Sequence, residues 1–400
     1  MAPVQLTEGI YWVGVVDWDI RDFHGLSTTV GSSYNSYLVV SDKVALIDSA
    51  DTGGASTLLR HISEIVDPAG IDFVISNHSE PDHSGALAEV MKVAKNAQLI
   101  ANKDGVKRLE QMYHGGWNAR EVGDGDEISL GKFTLRFFNA PLLHWPETMF
   151  TYCPEAGILF SCDAFGSHIA STERFVDELG AGKVLPHLRK YYAFLLANFR
   201  KAVLGAMDKV KDLQIDMIAP SHGPAWRNGI DTVFENYRKW ANLEVADKAT
   251  IVYGTMWGGT ETMVTAVADG LKAGGMECRA WNVKKTDPSD IVNDILDSRL
   301  ILLASPTFVS GIYPPVEAII PFLRIPRDKT KKMAVFGSFG WSGGATRKLA
   351  EILRAEGYDV MDEALQQRFF PGNDEVKECY EFGRGAAEWA LAAAPVKSEA

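Results

Sequence analysis

Cysteine is scarce in this sequence of 400 residues, which contains four of them. Cys153, Cys162, Cys278 and Cys379 never form a C-x-x-C pair, so they suit neither a thiolate metal site nor a disulfide framework. A protein without such a framework needs no oxidising environment, and the reducing cytoplasm is its simplest location.

Basic residues are also in deficit. The chain has 40 Lys and Arg against 52 Asp and Glu, which gives a formal net charge of −12 at pH 7. A surface of that sign repels phosphate backbones and anionic lipids. We therefore expect neither nucleic acid nor a membrane as a partner.

Long apolar runs are missing as well. The longest uncharged stretch, Leu300–Val316, is interrupted by Pro306, Gly311 and a Pro314-Pro315 pair, so it does not suit a membrane span. The N-terminal residues lack the basic and apolar regions of a signal peptide. Hydrophobic residues still make up 46% of the chain, enough to build a core in each of two domains.

The two halves of the sequence differ in rhythm. The first half shows short strand-like runs separated by turns, and several of these runs end directly in polar residues. The second half alternates strands and helices, from a predicted strand at Ile251–Gly254 to a last one at Tyr358–Met361. Strict alternation predicts a doubly wound parallel sheet. We place the domain boundary near Asp247, giving domains 1–247 and 248–400, both of mixed α/β class.

A cluster of potential metal ligands lies in the first half. His78, Glu80, Asp82 and His83 fall within six positions, directly after an apolar strand. A loop at that place lets alternate side chains converge on an ion. The remaining candidates occur singly, each just past a β-type run: His144, Asp163 and His222. Together the candidates supply four imidazoles and three carboxylates, a harder donor set than imidazoles alone, which favours iron or manganese over zinc.

Three loops of the second half suit a flat, phosphate-bearing ligand. The first precedes a helix N-terminus but lacks both the P-loop lysine and the G-x-G-x-x-G spacing, so a monophosphate fits better than ATP or NAD. The loops follow neighbouring parallel strands, at the edge where such sheets bind ligands. Their glycines and aromatic rings predict FMN. The candidate residues are Thr255, Met256, Trp257, Gly258, Gly259, Thr260 and Glu261; Ser305, Pro306, Thr307, Phe308 and Gly311; and Ser338, Phe339, Gly340, Trp341 and Gly343.

These motifs carry a resemblance to known families. The metal cluster resembles the metallo-β-lactamase superfamily, a ββ/αα sandwich, but Glu80 stands where the hydrolases of that superfamily have histidine. Residues from about Lys248 to Ala393 resemble flavodoxin. Together the two parts resemble the flavodiiron proteins over essentially the whole chain. One position is less usual, because we expect a serine where Gly259 stands beside Thr260.

The resemblance implies roles for the metal candidates. One iron is held by His78, Glu80 and His144, and the other by Asp82, His83 and His222. Asp163 and a solvent oxygen bridge the two ions. Glu80, Asp163 and His24 are the candidate catalytic residues. His24 and Trp145 are candidates for lining the distal pocket, although His24 could equally cap a loop.

The resemblance also implies an activity and partners. Flavodiiron proteins reduce dioxygen to water, nitric oxide to nitrous oxide, or both, with electrons relayed through FMN. The donor is expected to be external, either a rubredoxin or a reduced deazaflavin cofactor. A head-to-tail homodimer, or a dimer of dimers, would bring the flavin of one subunit to the irons of the other.

Other readings of the sequence remain. A binuclear zinc hydrolase with an appended flavodoxin would contain zinc and cleave esters without a reductant, but Glu80 argues against it. A pure electron carrier leaves the seven-residue ligand set unexplained, and charge disfavours an RNA-processing relative. The sequence does not separate dioxygen from nitric oxide, because both need the same ligands and electrons. We expect dioxygen.

Overall fold

The computed structural model describes residues 2–392, which divide into two compact units. The first comprises Thr28–Ala241 with the residues before Gly25, and the second comprises Gly25–Ser27 with the residues from Asn242 onward. Asp247, where the sequence places the boundary, lies inside the first strand of the second unit, Ala246–Tyr253. The division of the structure therefore falls a few residues earlier, after a helix that ends at Ala241.

The first unit is built from short strands and helices. Its helices are α1 (Ala55–Ser63), α2 (Pro81–Ser84), α3 (Leu87–Val93), α4 (Lys103–Tyr113), α5 (Val176–Leu179), α6 (Ala181–Tyr191), α7 (Arg200–Val210) and α8 (Ile230–Ala241), with a π-helix at Tyr192–Leu196. The strands up to Pro220, all in this unit except β5, are β1 (Val4–Thr7), β2 (Ile10–Trp12), β3 (Val15–Asp17), β4 (Asp22–Phe23), β5 (Leu26–Ser27), β6 (Ser32–Tyr34), β7 (Tyr37–Val40), β8 (Val44–Ile47), β9 (Phe73–Ile75), β10 (Gln98–Ala101), β11 (Ala119–Glu121), β12 (Glu127–Ser129), β13 (Thr134–Asn139), β14 (Met149–Cys153), β15 (Ile158–Cys162) and β16 (Met217–Pro220).

Two of the sheets of this unit share a core. The seven-stranded sheet has the order β1-β2-β7-β8-β9-β10-β11, and the five-stranded sheet runs from β12 to β16 in sequence order. Val39 and Ile47 of the first sheet belong to one buried cluster with Phe137 and Phe160 of the second. Because strand side chains alternate between faces, neighbouring Leu38 packs on the opposite side, with residues of α1, α3 and α4. The predicted ββ/αα sandwich is confirmed.

Parallel pairing within the sandwich brings polar strand ends together. β8 pairs in parallel with β9, and β15 pairs in parallel with β16. The residues that follow paired parallel strands emerge at the same edge of a sheet. This places Asp48 beside Asn77, whose backbone N–H donates to Asp48 at 2.7 Å, and it places the segments that carry Asp163 and His222 side by side.

The second unit is a doubly wound parallel sheet, as predicted. Its order is β18-β17-β19-β22-β23, with β24 also pairing with β22. Ile251 packs with helix residues on one face and Val252 with helix residues on the other. Its strands from Ala246 are β17 (Ala246–Tyr253), β18 (Glu277–Asn282), β19 (Ser298–Ala304), β20 (Thr307–Phe308), β21 (Gly311–Ile312), β22 (Lys332–Phe339), β23 (Asp359–Val360) and β24 (Leu365–Arg368).

The helices of this unit cover both faces of the sheet. Two elements near its end, β24 and the helix Asn373–Ala392, were not predicted from the sequence. Among residues 2–392, no helix has both the length and the apolar character that a bilayer crossing requires. The helices are α9 (Gly259–Ala273), α10 (Pro288–Ile295), α11 (Pro314–Glu317), α12 (Ile320–Leu323), α13 (Ala345–Ala355) and α14 (Asn373–Ala392).

A buried ion pair lies at the start of the sheet in the second unit. The Lys248 ammonium is 2.8 Å from Asp294 Oδ1, and both side chains are almost fully buried. Thr250 and Trp281 donate hydrogen bonds to Asp294 Oδ2, at 2.7 Å and 2.9 Å. Burial raises the pKa of Asp294, but the hydrogen bonds from these three side chains outweigh it and lower the pKa below its usual value. Asp294 is thus a buried carboxylate whose partners are all in place.

Replacing this carboxylate should destabilise the second unit strongly. Asp294→Ala leaves the buried Lys248 ammonium paired with the partly exposed Asp297, at 2.9 Å, and removes the acceptor of Thr250 and Trp281, which together cost about 3 kcal/mol. Hydrogen–deuterium exchange of the β17 and β19 amides measures the opening free energy of the sheet. Glu277→Ala is the matched control, because Glu277 forms an exposed pair with Arg279 and should change stability by less than about 0.5 kcal/mol. Equal, small effects of both variants would contradict the expectation.

Candidate metal centre and flavin-binding loops

The structure brings all seven predicted metal ligands together in the first unit. They come from four places in the chain, each of them a loop or helix start beside a strand. His78 follows β9, and Asp163 and His222 follow the paired strands β15 and β16. His144 lies in the turn before β14. The other three, Glu80, Asp82 and His83, lie at or just before the short helix α2.

The first group of ligand atoms surrounds one carboxylate oxygen of Glu80. His78 Nε2 lies 3.2 Å from Glu80 Oε2, and His144 Nε2 lies 3.0 Å from the same oxygen. Asp163 Oδ2 completes the group, at 3.5 Å from His78 Nε2 and 3.7 Å from His144 Nε2. The four ligand atoms lie within 4.8 Å of one another. An arrangement of two imidazoles and two carboxylates suits a divalent transition metal.

The second group lies on the other side of Asp163. His222 Nε2 is 3.1 Å from Asp82 Oδ2, and His83 Nε2 is 3.4 Å from it. Asp163 Oδ1 faces both rings, at 3.2 Å from His83 Nε2 and 3.4 Å from His222 Nε2. Asp163 therefore presents one oxygen to each group, which is the geometry that a bridging carboxylate requires.

Unpaired polar atoms show that the site fits metal ions. Both carboxylate oxygens of Asp82, His83 Nε2 and Asp163 Oδ2 are buried and have no hydrogen-bond partner among the described residues. Buried polar atoms are normally paired, since leaving them unpaired costs free energy. Three carboxylates together carry three negative charges, so a pair of divalent cations would compensate both the charge and the missing contacts.

Burial and neighbouring charge shift the pKa values in this cluster. Burial lowers the pKa of His78, but hydrogen bonds to Glu147 and Glu80 outweigh it and raise the pKa to about 9. The pKa of His222 is raised to about 9 in the same way, by its own carboxylate neighbours. Burial raises the pKa of Asp163, but the facing imidazoles hold it well below its usual range. Without metal, the raised pKa values of His78 and His222 favour protonated rings, which offset part of the carboxylate charge.

Several residues around the ligands were not identified from the sequence. Tyr191, the last residue of α6 before the π-helix, donates a hydrogen bond to Asp163 Oδ1 at 2.7 Å. His222 Nδ1 lies 2.7 Å from the backbone oxygen of Ser33, and His78 Nδ1 lies 2.9 Å from Glu147 Oε1. Glu147 had a local signal, because it follows the His144 motif by three positions. Tyr191 had none, since only the fold brings α6 to the centre.

His24 lies beside the predicted centre. Its Nε2 is 2.9 Å from Glu80 Oε1, the oxygen that does not face the first group, and its side chain is 59% exposed. Trp145 stands edge-on to the His78 ring, with the ring centroids 5.2 Å apart. Both side chains thus border the ligands, and His24 is one that a small molecule could reach from solvent.

In the second unit, the first predicted flavin loop is ordered by its own hydroxyl groups. The Gly258 N–H donates to Thr255 Oγ1 at 3.0 Å, and Gly258 has a φ of 94°, which favours glycine. The Thr260 hydroxyl is buried and lies 2.8 Å from that of Ser338, which joins this loop to the end of β22. The start of α9 leaves backbone N–H groups free for a phosphate.

Packing explains why position 259 has glycine instead of the expected serine. A Cβ atom on Gly259 would lie 2.6 Å from the backbone oxygen of Phe369, closer than a side chain can approach. Phe369 follows β24, whose place beside β22 was not foreseen. Glycine is therefore the residue that this contact allows, and the phosphate loop has one hydroxyl fewer.

The second and third loops lie at the same edge of the sheet as the first. The Ala345 N–H donates to Thr307 Oγ1 at 3.4 Å, and the Tyr313 N–H donates to Ser305 Oγ at 3.0 Å, so hydrogen bonds tie the loops in place. Trp257 and Trp341 are 84% and 88% exposed, which leaves their flat rings open to a ligand. Glu261 accepts a hydrogen bond from Tyr253 at 2.9 Å and so has a partner within the protein. The remaining predicted residues, Met256, Pro306, Phe308, Gly311, Phe339, Gly340 and Gly343, lie in or beside these loops.

Comparison with known proteins agrees with this architecture. A family model described as ODP family beta lactamase matches residues 33–223, and a flavodoxin model matches residues 251–383. The nitric oxide reductase of Moorella thermoacetica is 40% identical, with 96% of this chain and 98% of that protein covered. The coenzyme F420H(2) oxidase of Methanothermobacter marburgensis is 39% identical, with 96% and 98% covered. The crystal structure of the flavodiiron protein from Giardia intestinalis is 32% identical, with a TM-score of 0.95 and coverage of 98% and 97%.

The fold and the site define an oxidoreductase that joins a metallo-β-lactamase-like domain to a flavodoxin domain. Within that class, the chain belongs to the flavodiiron proteins, whose cofactors are FMN and a pair of iron ions. The family resemblance, the fold class and the cofactors expected from the sequence are thereby confirmed. The alternative of a zinc hydrolase is wrong, because the relatives are oxidoreductases.

Metal uptake should depend on pH. In the metal-free protein, His78 and His222 hold protons up to a pKa of about 9, and each ring must lose its proton to coordinate a metal. Affinity for Fe²⁺ should therefore rise with pH between about pH 6 and pH 8 and level off above about pH 9. Competition between the metal-free protein and a chelator measures it. His114→Gln, which changes an exposed histidine, should keep the same slope, and a pH-independent affinity would contradict the expectation.

Proposed function

We propose that this protein reduces dioxygen to water at a diiron centre, with electrons that pass through FMN from an external donor. The observation that carries the proposal is the position of Asp163, whose two carboxylate oxygens face two separate groups of ligand atoms. When bound, two ferrous ions and one reduced FMN supply the four electrons that the conversion of dioxygen to two waters consumes.

We assign the ligands as two sets that share one residue. His78, Glu80 and His144 hold the first iron, because the Nε2 atoms of both histidines face the Glu80 carboxylate. In the second set, two Nε2 atoms face a carboxylate in the same way. Asp163 spans both sets, and Tyr191 fixes its Oδ1 by a hydrogen bond. His24 and Trp145 border the substrate side of the first set. The second set is Asp82, His83 and His222.

We assign FMN to the three loops of the second unit. The Thr255 and Thr260 hydroxyls and the first turn of α9 are suited to its phosphate, because free N–H groups at a helix start attract anions. The exposed rings of Trp257 and Trp341 are suited to the flat ring system. This assignment includes every flavin-loop residue predicted from the sequence, Glu261 among them.

Nitric oxide is a second candidate substrate. It is supported by the relative from Moorella thermoacetica, which is named a nitric oxide reductase. Both gases are small diatomic oxidants, and the same ligand set can serve either. We rank dioxygen first, in agreement with the relative named a coenzyme F420H(2) oxidase.

Gas consumption by the purified protein tests this function. The protein is loaded with iron and FMN, reduced, and supplied with dioxygen or nitric oxide in separate assays. Faster consumption of dioxygen, with water as the product, supports the proposal. Faster consumption of nitric oxide reverses the ranking of substrates. If the iron-loaded, reduced protein consumes neither gas, the proposed function is wrong.

We also propose the donor, the assembly and the location. The donor is a rubredoxin or a reduced deazaflavin, and the name of the Methanothermobacter relative supports the deazaflavin. The protein works in the cytoplasm as a head-to-tail homodimer or a dimer of dimers, in which the flavin of one subunit serves the irons of another. Sedimentation under assay conditions tests the assembly, since a monomer with full turnover is incompatible with it. Reduction of the flavin by each donor in turn identifies the donor.

Removing the shared ligand should empty both metal positions. Asp163→Ala deletes the carboxylate that faces both groups, so iron content should fall together with gas consumption, the latter by more than about a hundredfold. FMN content, measured by its absorbance, should stay unchanged because the flavin loops lie in the other unit. Two irons retained in this variant would remove the bridging role.

The matched control changes the flavin loop instead. Thr260→Ala removes the hydroxyl that bonds Ser338 and should weaken FMN binding about fivefold, the equivalent of one hydrogen bond. Its iron content should equal that of the wild-type protein. Unchanged FMN affinity would contradict the assignment of this loop to the phosphate.

A further inference from the structure

A buried carboxylate outside the seven ligands contacts one of them. The Glu147 side chain is 1% exposed, and its Oε1 lies 2.9 Å from His78 Nδ1, the ring nitrogen that faces away from the ligand group. We propose that Glu147 is a positioning residue that makes the two irons unequal, by fixing the His78 ring and strengthening it as a donor to the first iron. This inference rests on the ligand assignment in the proposed function.

Other side chains hold Glu147 in this position. The backbone N–H and the hydroxyl of Ser79 donate to Oε1, at 3.2 Å and 2.6 Å, and Arg108 Nε lies 3.2 Å from Oε2. Asn102 donates to the backbone oxygen of Glu147 at 2.7 Å. With its carboxylate and its backbone both held, Glu147 fixes the His78 ring rather than following it.

The position of Glu147 in the chain links two ligands of the same iron. It follows His144 by three residues, so a single turn supplies one ligand directly and supports a second one through its carboxylate. His78 and His144 both face Glu80 Oε2, at 3.2 Å and 3.0 Å. A shift of this turn would therefore disturb two of the three terminal ligands of the first iron and none of the second.

The second iron lacks an equivalent hydrogen bond to a carboxylate in the part of the chain that the structure describes. His222 Nδ1 faces the neutral backbone oxygen of Ser33 at 2.7 Å. His83 Nδ1 lies 4.0 Å from Cys162 Sγ, with Asp48 near but not hydrogen-bonded to the ring. A carboxylate that accepts the second N–H of an imidazole makes the ring a stronger donor than a carbonyl or thiol does. The iron beside His78 should therefore favour the ferric state more than its neighbour does.

The test compares iron affinity and reduction potential in variants at this position. Glu147→Gln keeps the shape and an acceptor for the His78 N–H but removes the charge, so both irons should remain while the potential of one of them rises. Glu147→Ala removes the support, and the affinity for one iron should fall about 10–100-fold while the other stays. Stepwise chelator competition gives the affinities, and a spectroscopic redox titration of the loaded protein gives the potentials.

The control variant is Glu127→Gln, which removes the charge of an exposed carboxylate paired with Arg136 and should change neither quantity. Unchanged potentials in Glu147→Gln overturn the inference, and so does an equal loss of both irons in a folded Glu147→Ala. If Glu147→Ala fails to fold, the potentials of the Gln variant decide. Wild-type protein that binds fewer than two irons refutes the proposed function and this inference with it, whereas a failure confined to the variants refutes this inference alone.

Discussion

The burial of three carboxylates in one place is the main electrostatic constraint on the first unit. Glu80, Asp82 and Asp163 are almost completely shielded from water, and their oxygens lie 3.0–3.7 Å from the facing imidazole nitrogens. Buried charges of one sign are costly unless opposite charge accompanies them. Protons on the histidines or metal ions must supply that charge, so metal binding and stability are linked in this domain.

Parallel strand pairing turns a scattered set of residues into a site in both units. Strands that run in parallel deliver their following loops to one edge, so Asp163 and His222 meet although 59 positions separate them in sequence. In the second unit the ends of β17, β19 and β22 do the same for the flavin loops. The two domains share no motif, yet each places its polar residues by the same topological rule.

Local patterns explain what could be predicted from the sequence. The loop from His78 to His83 carries four ligands in one segment, and strict alternation in the second half predicts the parallel sheet. β24 was missed because its sequence, Leu-Gln-Gln-Arg, is polar and shows little alternation. That omission also hid the contact between Phe369 and Gly259. Tyr191 was missed because its role depends on how α6 packs, which no short segment encodes.

The seven proposed ligands form two groups, and the atoms around them distinguish the two halves of the site. The ligand sets are matched in kind, since each has two imidazoles, one carboxylate of its own and one oxygen of Asp163. Their surroundings are not matched, because His24 reaches Glu80 from a partly exposed position whereas His222 is closed in behind Ser33. The group of ligand atoms around Glu80 is therefore both the one nearer to solvent and the one whose His78 ring contacts a buried carboxylate. The half that solvent reaches through His24 is also the half in which the buried Glu147 carboxylate supports the His78 ring, so the proposed binding and reduction of a small oxidant need not be equivalent at the two positions.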